Sequence, residues 1–501
     1  MSSSGTNTEV NTGTTGRDPL KQRWSFTPSE ITYWSTIGAA VLVTLVVLFV
    51  DGLAGQAVGG LAVLLSVLLL LCGMHVGLAM TVAGGLGIWK IVGPGALAVT
   101  FEHVGFGEAA SWSLSVIPLF VLMGVAMGRF HIIGKFFVAA QNWFGRLPGG
   151  LAVATNLTGA GMASASGSSI AISYAIGRTA IPEMLRHGYR PSLATAVVAA
   201  SGSVGMLIPP SVVLVIYASV AETPVGPQLL SALVPGVLLA LGFSAMIVLR
   251  CTLDHSLGPP STRSVGWGER VRSLRGVTPV AVIAVVIIGG MYSGLFTPTE
   301  AGAVGALAAV VLGWLFGPDR SVVFLGRTLV ACVRECAVVV SSIFLLLMGV
   351  FVITRMLTLS GVADALTVGL TGLGLSRVTF LLVLVLVFLV LGMFMDGLAI
   401  VLLTVPLLLP VIDAFDISAL WFGVFMVIVV ELAMITPPIG VLTYVVFRTA
   451  QNSEVNLGAR IGLSEVFRGI GWFVAVAVAM LVFLIFFPEV ALWLPESSSA
   501  Q

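Results

Sequence analysis

The groups in this chain able to do chemistry are oxygen-bearing residues set beside helix breakers, inside runs that are otherwise apolar. In the first half they are Ser164, Ser166, Gly167, Ser168 and Ser169, followed by Gly205, Ile208, Pro209, Pro210 and Ser211. In the second half they are Gly392 and Asp396, followed by Ile435, Thr436, Pro437 and Pro438. A hard cation such as sodium takes oxygen ligands, and unwound helix ends supply free carbonyls next to Ser, Thr and Asp side chains. Helix ends of the opposite sense point positive dipoles inward, which suits a carboxylate. Candidate cation ligands are therefore Ser166, Gly167, Ser168 and Ser169 with Gly205 and Ile208, and Gly392 and Asp396 with Ile435 and Thr436. Ser164, Pro209, Pro210, Ser211, Pro437 and Pro438 are candidates for the substrate path. Plainer readings stand beside these: close packing of small residues for the Ser/Gly cluster, simple kinks for the proline pairs, and a helix-capping role for Asp396 in a wet vestibule. Asp396 and Glu431 are carboxylates deep in apolar runs, where an isolated charge costs ~2.5–3.5 kcal/mol. Bonding to a neighbouring helix is the favoured reading of Glu431.

Hydrocarbon leaves every backbone N–H and C=O in need of a partner, so the elements carrying these clusters must leave the helix only against protein or a wet cavity. The chain is 501 residues long, 58% hydrophobic and 9% charged, with a mean hydropathy of +1.10, which excludes a soluble globular protein. A formal charge of +1 without a basic, aromatic-interleaved patch gives no sign of a nucleic-acid partner. The 4 cysteines lack metal-ligand spacing and read as free thiols. No His/Cys cluster, acid pair or nucleophile constellation supports an enzyme, and no phosphate-binding loop supports ATP hydrolysis. No organic cofactor is expected.

Taken in order, residues 1–30 form a polar tail and 31–51 an extra first membrane helix. Residues 57–148 are expected to belong to a scaffold and 149–250 to a transport unit containing an interrupted hairpin. An arginine-rich linker at 251–276 divides the halves. Residues 277–376 and 377–460 then repeat scaffold and transport unit, followed by a last helix at 461–487 and a tail at 488–501. With the amino terminus inside, 20 of the 23 Lys and Arg residues fall on the cytoplasmic side, the exceptions being Lys90, Arg355 and Arg377. The positive-inside rule selects that orientation and puts the carboxyl terminus outside. The hairpin near 149–178 then opens to the cytoplasm and the one near 377–412 to the opposite side. The expected fold is an all-α polytopic membrane protein of inverted-topology repeats, with two re-entrant helical hairpins and two broken helices. Matched spacing supports the repeat: 48 residues separate Gly161 from Pro209, and 45 separate Gly392 from Pro437.

Several strings carry a family resemblance: Ser166-Gly167-Ser168-Ser169, Ile176-Gly177-Arg178 with Ile181-Pro182-Glu183-Met184, Leu207-Ile208-Pro209-Pro210-Ser211, Tyr292 to Glu300, and Ile435-Thr436-Pro437-Pro438-Ile439-Gly440. Together and in this order they resemble the large membrane subunit of TRAP transporters (tripartite ATP-independent periplasmic transporters), over about residues 57 to 487. The resemblance implies an elevator-type, sodium-coupled importer of organic acids in the bacterial inner membrane, similar to the wider ion transporter superfamily. It also implies two partners in addition to the lipid bilayer: a small four-helix membrane subunit and a soluble periplasmic binding protein that delivers the substrate. Family sodium sites carry over onto Ser166, Ser168, Ser169, Gly205, Ile208, Gly392, Asp396, Ile435 and Thr436, one ion per half. The helix at 31–51 departs from the family pattern and is expected to contact the small subunit. A carboxylate carrier working without a binding protein, coupled to sodium or protons, is the alternative.

Overall fold

The computed structural model describes residues 28–104, 111–130, 132–166, 169–260, 265–317, 319–393 and 395–499. Of the tail expected at 1–30, residues 1–27 lie outside them and residues 28–30 begin the first helix. The described residues are all-helical. The first half runs α1 (Pro28–Leu48), α2 (Gly55–Leu71), α3 (Val76–Ile91), α4 (Pro94–His103), α5 (Val116–Arg129), α6 (Ile132–Phe144), α7 (Gly150–Ser166), α8 (Ser169–Arg186), α9 (Pro191–Val204), α10 (Val212–Val220) and α11 (Val225–Leu253). After the short α12 (Trp267–Leu274) come α13 (Thr278–Tyr292), α14 (Pro298–Phe316), α15 (Val322–Ser360), α16 (Val362–Gly372), α17 (Arg377–Leu391), α18 (Gly397–Ala414), α19 (Ala419–Ile435), α20 (Val441–Ala450), α21 (Ser453–Asn456), α22 (Leu463–Phe486) and α23 (Glu489–Ser499). By length and composition, 5 of the described helices can cross a membrane, or 6 if the bent α12–α13 pair counts as one span.

Local chemistry fixes many of these ends. Thr297 and Glu300 form a reciprocal capping box at the start of α14: the Thr297 hydroxyl accepts from the Glu300 N–H at 3.3 Å, and Glu300 accepts from the Thr297 N–H at 2.8 Å. Ser321 and Ser376 cap α15 and α17 in the same sense. Gly361 closes α15 in the left-handed region, at φ 68°. Two stretches differ from expectation. The stretch after residue 95, which the polar Glu102 and His103 make read as a loop, is helical through His103 as part of α4, where Pro94 sits in the first turn and its missing N–H costs nothing. The stretch holding Arg327 and Arg334, whose charges make it read as a link between membrane helices, is helical, so that α15 is one element of 39 residues.

Two groups of helices pack around one core. In the first, α3 lies along α15 and α14 along α5. Each of these contacts joins a helix of one half to a helix of the other. Backbones touch at the α3–α15 crossing: a Cβ at Gly77 would stand 2.3 Å from the Leu345 carbonyl oxygen, so only glycine fits. In the second group, α7 and α8 both pack on α9, and α17 and α18 both pack on α19. Further contacts of α8 with α20, α9 with α22 and α10 with α19 join the two halves. The groups meet where α5 touches α7 and α10, and where α15 and α16 touch α18.

Both interrupted runs return on themselves. At the open end of the first, the Leu151 N–H donates to the Tyr189 phenol oxygen at 3.1 Å, so the residues entering α7 lie beside those leaving α8. Burial pushes the Tyr189 phenol up to about 12, keeping it neutral. The end of α11 closes the same clasp. Gly149 N–H donates to the Gly258 carbonyl at 2.9 Å, Arg190 N–H to that of Leu257 at 3.0 Å, and the Arg190 guanidinium lies 3.3 Å from Asp254. In the second run Phe380 of α17 stacks on Phe415 just beyond α18, with centroids 4.5 Å apart and planes 2° from parallel.

Candidate functional site

The closed ends of the two hairpins converge on one residue of α19. Glu431 is buried, and its Oε1 accepts a hydrogen bond from the Ser169 hydroxyl at 2.8 Å. Ser169 is the first residue of α8, the returning arm of the first hairpin. A Cβ on Gly397, the first residue of α18, would stand 3.9 Å from the same oxygen. Glu431 therefore sits between the amino-terminal ends of two helices, where unpaired N–H groups and the helix dipole favour an acidic group. No ion-pair partner for it occurs among the described residues, and its Oε2 has no hydrogen-bond partner there. A buried oxygen left so costs ~1–3 kcal/mol.

Each half sets a helix break against a hairpin. In the first, α9 stops at Gly205, and α10 starts after a cis Pro209-Pro210 bond. A Cβ at Gly202, one turn earlier, would stand 2.2 Å from the Ser173 hydroxyl and 2.9 Å from the Ser169 carbonyl oxygen; the hairpin arm is therefore pressed on the last turn of α9. In the second, α19 gives way at Thr436 to a cis Pro437-Pro438 bond, and α20 starts after Gly440. Here a Cβ at Gly392 would stand 2.3 Å from the Ala433 Cβ, so the turn of the second hairpin abuts the last turn of α19.

The candidate ligands fall out as follows. Ser169 is in the site and buried. Gly167 and Ser168 lie outside the described residues, as do the side chains of Ser164 and Ser166. Asp396 is exposed and caps α18, its Oδ1 accepting from the Ala399 N–H at 2.9 Å; the second carboxylate oxygen is not used by the cap. The Ile435 carbonyl accepts from the Thr443 hydroxyl at 3.0 Å, and the Thr436 hydroxyl donates to the Leu432 carbonyl at 2.6 Å. Both oxygens keep lone pairs for a further donor or a cation. Gly205, Pro209 and Pro210 are buried and Ile208 half-buried against α11, near Gly236. Ser211 is a buried helix cap, accepting from the Leu214 N–H at 3.4 Å. Pro437 and Pro438 are exposed. The first break is thus packed and the second open.

A cavity of about 910 Å³ lies between the two helix groups, and Ser169 and Asp396 both line it. Its far wall carries His75, Ser342, Arg129 and Glu335. Arg129 of α5 and Glu335 of α15 form an ion pair at 2.6 Å across that wall. Met206 and Met434, each next to a helix break, line the cavity as well. Among the described residues no group of three or more His, Cys, Asp or Glu side chains could hold a metal ion by itself. The donors available to a cation here are hydroxyls, carbonyls and single carboxylates, a set suited to a hard monovalent ion.

Residues 61–490 match the family described as "Tripartite ATP-independent periplasmic transporter, DctM component". The chain belongs to that family. It is 28% identical over 459 residues to the C4-dicarboxylate TRAP transporter large permease protein of Vibrio cholerae, covering 87% of this chain and 98% of the relative. The corresponding protein of Pseudomonas aeruginosa is 31% identical over 391 residues, which cover 78% of this chain and 88% of that one. Among solved structures, the YdaH transporter of Alcanivorax borkumensis superposes with a TM-score of 0.58 at 14% identity, over 80% of this chain and 90% of that chain. That similarity extends to the fold alone. Membership makes the chain a multi-pass transporter permease subunit of the inner membrane.

Glu431 bonds to a neighbouring helix, as its sequence context suggests; its place where both hairpin ends meet is what the sequence reading lacks. The signal was present, since a lone acid in an apolar helix five residues before a Thr-Pro-Pro break has to be met by something. What meets it is 262 residues away in the chain.

Proposed function

We propose that the chain is the membrane-spanning permease of a sodium-coupled importer of carboxylates, in which α7–α11 and α17–α22 move as one body past the remaining helices. The observation that carries this reading is the Ser169–Glu431 bond at 2.8 Å, which ties the tip of one hairpin to the broken-helix element of the other half. Such a tie makes the two hairpins parts of one body. The positive-inside rule puts the Tyr189 clasp on the cytoplasmic face and the Phe380–Phe415 stack on the periplasmic face, so the hairpins enter from opposite sides as an inverted repeat requires. It also puts His75, Arg129 and Glu335 on the cytoplasmic side, and the cavity they line then opens inward.

The oxygens present fit sodium. Ser169 with the adjacent Ser166, Gly167 and Ser168 would hold one ion in the first half, with Glu431 Oε2 supplying negative charge nearby. Asp396 and the Ile435 and Thr436 oxygens would hold a second. Bound cations supply the charge that lets an acid stay beside these carboxylates, and each charge moved through 100 mV supplies roughly 2.3 kcal/mol. This chain's own residues do the rest. Ser169 and Asp396 add polar groups and Met206 and Met434 apolar surface to the cavity lining, and the Gly202 and Gly392 contacts press each hairpin on its broken helix. The substrate class follows the relatives' dicarboxylates and the convergence of positive helix ends. A soluble periplasmic binding protein and a small membrane subunit complete the system. The test is uptake of labelled C4-dicarboxylate into proteoliposomes holding this chain and its two partners, with sodium inside, outside or absent. Uptake should require an inward sodium gradient and the binding protein. Uptake by this chain alone, or uptake indifferent to sodium, contradicts the proposal.

A further inference from the structure

A second pocket, of about 590 Å³, lies on the moving body between α8 and α20, away from the cavity just described. The same pattern lines it from both helices: Tyr174 and Arg178 on α8, Tyr444 and Arg448 on α20. Each pair is spaced i, i+4, so each Tyr and Arg share one helix face. Arg178 lies 6.0 Å over the Tyr174 ring, and neither arginine has an ion-pair partner among the described residues. All four side chains are exposed. The rest of the lining is mainly apolar, with Ile439, Val441 and Val445 among it.

Two unpaired guanidinium groups over an apolar, aromatic pocket make an anion site with room for hydrocarbon below it. A free substrate acid needs no such floor, whereas a lipid does. We infer that this pocket binds the phosphate headgroup of an anionic phospholipid of the inner leaflet, with Arg178 and Arg448 on the phosphate and the two tyrosines at headgroup level. The inner-leaflet assignment rests on the orientation proposed above; the lipid site does not. Because one wall belongs to each half, a bound lipid links the first hairpin to the second broken helix and travels with the body.

The test is lipid retention by the purified full chain, read by native mass spectrometry after exchange into phosphatidylethanolamine micelles with or without phosphatidylglycerol. Wild type should retain phosphatidylglycerol, and Arg178→Gln/Arg448→Gln should bind it about 30-fold more weakly, the change that ~1 kcal/mol per arginine near an anionic surface gives for two residues. Arg320→Gln, an exposed arginine outside the pocket, should bind as wild type does. Equal retention by wild type and the double variant overturns the site. So does an equal loss in Arg320→Gln, which would mark a general charge effect. Displacement of the lipid by millimolar glycerol phosphate or succinate would show a site for free anions and overturn the lipid assignment. Each outcome is read without transport, so a failure here is separate from a failure of the proposed uptake.

Discussion

The Ser169 hydroxyl donates to Glu431 at 2.8 Å, and in doing so joins the amino-terminal end of α8 to the carboxyl-terminal part of α19, a helix from the other half of the chain. This contact gives a buried carboxyl group a donor in an apolar bundle and ties the first hairpin to the helix on which the second packs. Ser169→Ala would leave both oxygens of Glu431 without a partner among the described residues, at a cost of ~1–3 kcal/mol. Lower thermal stability and faster amide exchange in residues 150–186 are expected, with a smaller loss in Glu431→Gln, which keeps an acceptor. Wild-type exchange in Ser169→Ala would show that the bond holds nothing.

The α3–α15 crossing depends on backbone contact. Gly77→Ala would place a methyl 2.3 Å from the Leu345 carbonyl oxygen, and forced overpacking costs ~1–3 kcal/mol. Gly60→Ala on α2 meets nothing within 4 Å and should be neutral or stabilising by roughly 0.5–1 kcal/mol. Unfolding midpoints of the two variants should fall on opposite sides of wild type or, at the least, Gly77→Ala alone should fall below it. Equal midpoints would mean the helices part without cost.

How much of this was legible beforehand follows from what each residue has to do. The breakers were legible because Gly, Ser and Pro-Pro strings cannot continue a helix, and both helix breaks fall where those strings stand. The family was legible because its motifs are contiguous. The α4 helix was hidden by the polar residues around Glu102, which resemble a loop. Ser211 caps α10, and a serine before an apolar run fits that role and a place on the substrate path alike. The partner of Glu431 could not be read at all: the sequence states that the acid must be satisfied but not which distant helix end does so.

The clasp at the open end of the first hairpin should respond to acid. The Ser256 hydroxyl first, then the Ser256 backbone N–H and the nearby Arg190 and Arg250, hold the Asp254 carboxyl below the usual carboxylate range. A depressed folded value means that the stabilisation is present above the unfolded value and is lost as pH falls through the folded one. The stability difference between wild type and Asp254→Asn should thus be full at pH 7 and shrink as the solution is taken below about 4, where an unperturbed aspartate titrates. A difference that grows on acidification would reverse the sign and reject the assignment.

Asp396 caps α18, and substitutions can separate that cap from the sodium role proposed for it. Asp396→Ala removes the cap on Ala399 and should cost ~1 kcal/mol, together with sodium stimulation of uptake. Asp396→Ser keeps a capping oxygen, so its stability should approach that of wild type while sodium stimulation is still lost. Normal stimulation in the serine variant would leave Asp396 as a cap and nothing more.

The central claim is that the two hairpins enter from opposite membrane faces and meet inside. The most direct measurement is labelling by a membrane-impermeant maleimide of two single-cysteine variants, with the 4 native cysteines replaced. His187→Cys marks the open end of the first hairpin and Ser376→Cys that of the second, and both positions are exposed. In right-side-out vesicles only the cysteine at 376 should react, and in inside-out vesicles only the one at 187. Labelling of both from the same face would contradict the inverted arrangement and the transport cycle built on it.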